Sequence, residues 1–110
     1  MKIINLTPHT VNICDEAGTI IKSYPCEGDA RVKTECSDLL AIDHVPVKWV
    51  RYAETEGLPP RAEGIFYIVS MVVAQANPGR ADLFCPNTAP GEVVRDVNGH
   101  ITGVKSFARY

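Results

Sequence analysis

Ile65-Phe66-Tyr67-Ile68-Val69 is an unbroken run of five apolar residues, all of them β-branched or aromatic. A run of that length and type, apolar on both faces, belongs to a strand with neighbours on each side. Ser70 follows it directly and is a good helix N-cap. The sequence therefore predicts a central strand that enters a short helix over residues 71–76, ended by Asn77-Pro78-Gly79.

Around this strand the chain is cut into short pieces by turn formers. Residues 2–6 read as a first strand, interrupted at Thr7-Pro8-His9 because proline cannot donate to a central ladder. Val11 and Ile13 alternate with Asn12. With the turn Asp15-Glu16-Ala17-Gly18 and the run 19–24 they predict a hairpin. Residues 30–34 read as a short strand. Residues 37–44 are ambiguous, and Ser37 fits the cap of one helical turn. Residues 45–52 alternate and then shift phase at Val50, a pattern that suits a strand with a bulge. Residues 54–64, with Gly57, Pro59, Pro60 and Gly64, read as a loop. Residues 82–85 and 93–95 predict further strands. Asn98-Gly99 is a two-residue hairpin signal. The last strand covers 100–107, with Gly103 marking a bulge or a close approach.

No internal repeat or linker emerges, so the expectation is a single domain over residues 1–110. Its class is α+β, mostly β: a small barrel or compact sandwich of short, mainly antiparallel strands with one short helix. At 110 residues such a domain needs no staple to fold. The apolar share of 45% and charged share of 22% are those of a globular chain. Net charge is −2, and the isoelectric point near 5.9 offers no footprint for duplex nucleic acid or an anionic membrane. No leader-like segment follows Met1-Lys2, and no apolar run is long enough to span a bilayer, so a cytoplasmic location is expected. Cys14, Cys26, Cys36 and Cys85 form no C-x-x-C pair. They read as free and mostly buried thiols, and neither metal nor cofactor is expected.

Asn5-Leu6-Thr7-Pro8-His9 resembles the opening of a family of short, functionally uncharacterised proteins of phage, prophage and some bacteria. The likeness continues through Ala30-Arg31-Val32, Gly57-Leu58-Pro59 and Tyr67-Ile68-Val69-Ser70. It reaches Arg80-Ala81-Asp82-Leu83 with Pro86, and then Val94-Arg95-Asp96, Gly99, Ile101 and Gly103. Residues 35–50 depart from it. The resemblance implies a phage-type accessory protein.

The candidate binding residues are Thr7, His9, Arg31, Ser70, Arg80, Asp82 and Arg95. His9 and Thr7 either contact a ligand or satisfy backbone groups of their own turn. Ser70 either helps hold an anion at the helix start or serves only as a cap. Arginine suits bidentate capture of phosphate or carboxylate. The plainer reading has Arg80 pair with Asp82, and Arg95 with Asp96. Trp49, Tyr52, Phe66 and Tyr67 offer faces for a base, or simply form the core. Phosphate-loop, zinc-protease and nucleophile-elbow motifs are absent, as is a second H-x-T copy.

These residues lead to three expectations. The first is a small anionic, nucleotide-like ligand, such as a sequestered host immune signal, held without catalysis in a homo-oligomer. The second is an interaction protein that inhibits or modulates a host protein. The third, a small hydrolase using His9 with Thr7 or Asp82, has no complete catalytic set behind it.

Overall fold

The computed structural model describes all residues, Met1–Tyr110. In chain order the elements are β1 (Lys2–Asn5), β2 (Val11–Cys14), β3 (Ile20–Tyr24), β4 (Arg31–Ile42), β5 (Val45–Glu56), β6 (Ile65–Ile68), α1 (Met71–Ala76), β7 (Leu83–Pro86), β8 (Val93–Arg95), β9 (Ile101–Val104) and β10 (Phe107–Ala108). The protein is mostly β with one short helix. Its strands form two four-stranded sheets and one separate ribbon, and no barrel closes.

The apolar run is central, as its two-faced pattern requires. β6 lies between β1 and β7 in the order β1-β6-β7-β10, parallel to both neighbours. Tyr67 and Val69 join Leu6, Ala30, Val73, Ala74 and Leu83 in the main core. The other face of the sheet carries Phe66, Phe84 and Phe107. Phe84 stacks between the other two rings, and Tyr24 of β3 meets Phe107 at 6.0 Å between centroids. This aromatic row couples the first sheet to the second, whose order is β3-β2-β9-β8.

Ser70 caps α1, its Oγ accepting from the Val73 N–H at 3.4 Å. Asn77 closes the helix, and Pro78 follows it.

The hairpins of the second sheet turn on one device. Asp15 Oδ1 accepts from the N–H groups of Ala17 and Thr19, and Gly18 takes φ +85°. Asp96 Oδ1 accepts in the same way from Asn98 and His100, and Gly99 takes φ +82°. The Asn98-Gly99 signal thus marks a hairpin, but its loop is longer than two residues. The Asp96 carboxylate organises it, with the Asp96 N–H donating to the His100 carbonyl. Between the hairpins, Gly103 is a close approach: a Cβ there would stand 2.6 Å from Cys14 Sγ and 2.9 Å from the Asn12 carbonyl oxygen.

The middle of the chain departs furthest from expectation. Residues 37–44 hold no helical turn, and the strand from Arg31 continues to Ile42. Asp43 and His44, at φ 51° and 62°, make a two-residue turn of the kind that matches strand twist. β5 then runs back to Glu56, so the loop starts at Gly57 and not at residue 54. Local sequence is neutral here, and cross-strand pairing along twelve residues decides the conformation. Val32 opposes Thr55 and Thr34 opposes Tyr52, so β5 carries one extra residue between them. Asp38 opposes Lys48 and Leu40 opposes Val47, which makes Leu39 the extra residue of β4. The phase shift read at Val50 therefore resolves into two irregularities on either side of it.

This ribbon leaves the body as an arm. Its twelve-residue strands span roughly 40 Å. The radius of gyration is 16.6 Å, against about 13 Å for a compact domain of this size. The root is anchored: Val32 packs on the main core, and Asn77 Nδ2 bridges Val73 O and Thr55 Oγ1, both at 2.9 Å. No helix is long and apolar enough to cross a membrane.

Candidate functional site

The N-L-T-P-H segment is organised by Asn5, whose side chain is completely buried. Its Oδ1 accepts from the Thr7 N–H at 2.9 Å and faces Thr7 Oγ1 at 2.7 Å. Its Nδ2 donates to the carbonyls of His9 and Tyr24, both at 2.8 Å. The amide's donors and acceptor are thereby occupied, which is how an amide is carried inside a core. One side chain holds the break after β1 and fastens it to the end of β3. Thr7 is drawn into this knot, while the His9 ring lies exposed. Sequence reasoning placed Asn5 only beside the candidate pair. The signal for its role was the proline after Thr7, which breaks the ladder and leaves backbone groups in need of partners.

Thr7, Arg31 and Ser70, distant in sequence, line one open cleft of about 270 Å³ with Asp29, Pro8 and Val72. The polar groups of that cleft already have partners. Arg31 Nε donates to Asp29, and this pairing raises the guanidinium pKa. Ser70 Oγ is taken by the helix it caps.

Arg80 and Asp82 lie apart from this cleft and hold each other. Arg80 Nε and Nη2 donate to the two carboxylate oxygens at 2.8 Å each, and Nη2 also donates to the Pro59 carbonyl at 3.0 Å. The Asp82 side chain is only 4% exposed. The Arg80 hydrogen bonds hold its carboxyl below the usual carboxylate range, against the opposing effect of burial. The pair ties the loop at Pro59 to the start of β7. Arg95 stands elsewhere and on the surface, donating to the Gly99 carbonyl of its own hairpin at 2.8 Å and not to Asp96. The structure thus brings three of the seven candidates into one cleft, pairs two within the fold, and leaves His9 and Arg95 separate.

All four cysteines are free. Cys14 and Cys85 are buried, and burial pushes the Cys85 thiol up. Cys26 and Cys36 are exposed, contrary to the expectation of mostly buried thiols. Tyr67 is core and Phe66 packs in the aromatic row, but Trp49 and Tyr52 belong to neither.

Those two residues lie on the arm, with the densest exposed apolar surface of the molecule. Leu39, Leu40, Ile42, Val45, Trp49, Val50 and Tyr52 each expose 45% or more of their surface, Trp49 and Val50 more than 60%. Alternation places Trp49 and Val50 on opposite faces. Trp49 shares its face with Ser37, Val47, Leu40, Val45 and Ile42, which are paired across the ribbon. Near the root that face becomes polar, with Glu35 against Arg51, and Lys33 between Glu54 and Glu56. Val50, Cys36 and Tyr52 continue the face on which Val32 packs into the body.

Comparison of the chain with protein-family models, with curated proteins and with solved structures finds no match. The site is therefore read from its own geometry.

Proposed function

We propose that this protein is an interaction module that acts by docking a macromolecular partner on the β4–β5 arm. One observation carries this reading: a two-stranded ribbon anchored only at its root displays seven large apolar side chains to solvent. An isolated ribbon is marginal in water, and an exposed apolar stretch of strand is an aggregation liability. Such a surface is retained where something covers it. Trp and Tyr in the exposed set are the residue types that dominate binding energy at interfaces.

The test compares what tagged wild type and a Trp49→Glu variant retain from a lysate of the protein's own host that also contains a differently tagged copy of the chain. Loss of specific partners with Trp49→Glu is expected. Identical retained sets would sink the reading.

A second reading, binding of a small anionic ligand as the phage-type resemblance implies, draws support from the cleft that gathers Thr7, Arg31 and Ser70. It is the weaker of the two, because Asp29 already neutralises the charge of Arg31 and the helix already occupies the Ser70 hydroxyl. Stabilisation by a nucleotide in a thermal-shift screen, abolished by Arg31→Ala, would raise it above the first.

A further inference from the structure

We infer that the partner on the arm is a second copy of this chain, packed through the face that carries Trp49. The inference rests on the interaction reading above and names the occupant.

Size is the first argument. Leu40, Ile42, Val45 and Trp49 with the half-buried Val47 expose apolar surface on the order of 500 Å² on one face. A standard interface buries about 800 Å² per partner, and the apolar share in homodimers is about 65%. The face thus supplies the apolar part of one such interface, and Glu35, Ser37 and Arg51 beside it supply the polar part.

Charge is the second. Between Arg31 and Glu56 the arm holds four basic and five acidic residues, so it is nearly neutral. A second arm meets little net repulsion, and a strongly charged partner such as nucleic acid finds no attracting field. The charges are also sorted. From the middle of the arm outward, β4 carries the acids Glu35 and Asp38 and the tip carries Asp43, while β5 carries the bases Lys48 and Arg51; of these, Glu35 and Arg51 lie on the Trp49 face.

Shape and symmetry complete the case. A two-fold axis along the arms lays β4 of each copy over β5 of the other. Glu35 then faces the second Arg51, and the large Trp49 faces the small Ser37, each contact occurring twice. Both bodies fall outside the interface, because Val32 and the core it joins lie on the opposite face.

The experiment is sedimentation velocity of the full chain over a dilution series, with thermal melting of each variant as the check on folding. Wild type is expected as a dimer. Trp49→Glu is expected as a monomer that still melts in one cooperative transition, without the concentration dependence that dimerisation gives the wild-type melt, and Val50→Glu, on the other face, as a dimer. Arg51→Glu is expected to weaken association by about tenfold or more, with Glu35→Arg in the same chain restoring it. A wild type that stays monomeric overturns the inference. If Trp49 is still needed to capture a different protein, the interaction reading survives that failure. A dimer indifferent to Trp49→Glu overturns it as well.

Discussion

The body, with its mixed parallel and antiparallel sheets, and the arm, a single antiparallel hairpin, are both built from paired strands, yet they treat their side chains in opposite ways. In the body, hydrogen bonds and burial coincide. β6 has a partner on each side, its residues fill the core, and its polar neighbours Asn5 and Asp82 are buried with complete sets of partners. In the arm the ladder is intact over twelve residues, but little is buried beyond the root. Pairing alone therefore makes a strand without making a core. The arm's side chains are free to serve something outside the domain, whereas those of the body are committed to stability.

This contrast is broken most directly through Asn5. Asn5→Ala leaves the carbonyls of His9 and Tyr24 without their buried amide partner and frees the Thr7 turn. It is expected to destabilise the fold by about 4 kcal/mol, read as a lower urea midpoint. A loss under about 1 kcal/mol would mean that the knot is not what holds the segment.

Arg80→Met comes next. It strands the Asp82 carboxylate, with an expected cost of about 3 kcal/mol near neutral pH. Acid distinguishes charge from packing. In the wild type the folded-state pKa of Asp82 is depressed. Its contribution is therefore present above the unfolded carboxylate value and is lost as pH falls through the folded one. In Arg80→Met the desolvated carboxyl titrates higher, so acidification relieves the variant. Urea titrations across the carboxylate range should show the two stabilities converging as pH falls; parallel curves would remove the ion pair from the explanation.

Gly103→Ala is expected to cost about 2 kcal/mol, because its Cβ would run into the Asn12 carbonyl and Cys14 Sγ. A melt unchanged from wild type would show that β2 and β9 can move apart freely.

The smallest stability effect belongs to the arm. Trp49→Glu and Val50→Thr are expected to change monomer stability by less than about 0.5 kcal/mol, since both side chains lie mostly in water. A large loss from either would mean that the arm is part of the cooperative core, and the contrast would fail.

Much of the body was legible in the residues because its signals are local and mutually consistent. Ile65 to Val69 announced a two-neighbour strand, Ser70 a cap, Asp15 and Gly18 a turn, and Gly103 a close approach. The Arg80–Asp82 pair was also legible, although the two residues meet in the turn before β7 and not on a strand. Residues 37–44 carried no such signal. Leu39 and Leu40 suit a helix as well as a strand, and Asp43-His44 reaches its left-handed turn without glycine. What the sequence determined by itself was the class, the central strand, the helix and most turns, all consequences of spacing and backbone preference. Only the tertiary structure decided that Asn5 is the buried knot, that Thr7, Arg31 and Ser70 share a cleft, and that Trp49 points to solvent. Each of these depends on segments far apart in the chain meeting or failing to meet, and hydrophobicity along the chain cannot say whether an apolar residue finds its cover in its own fold or in another molecule.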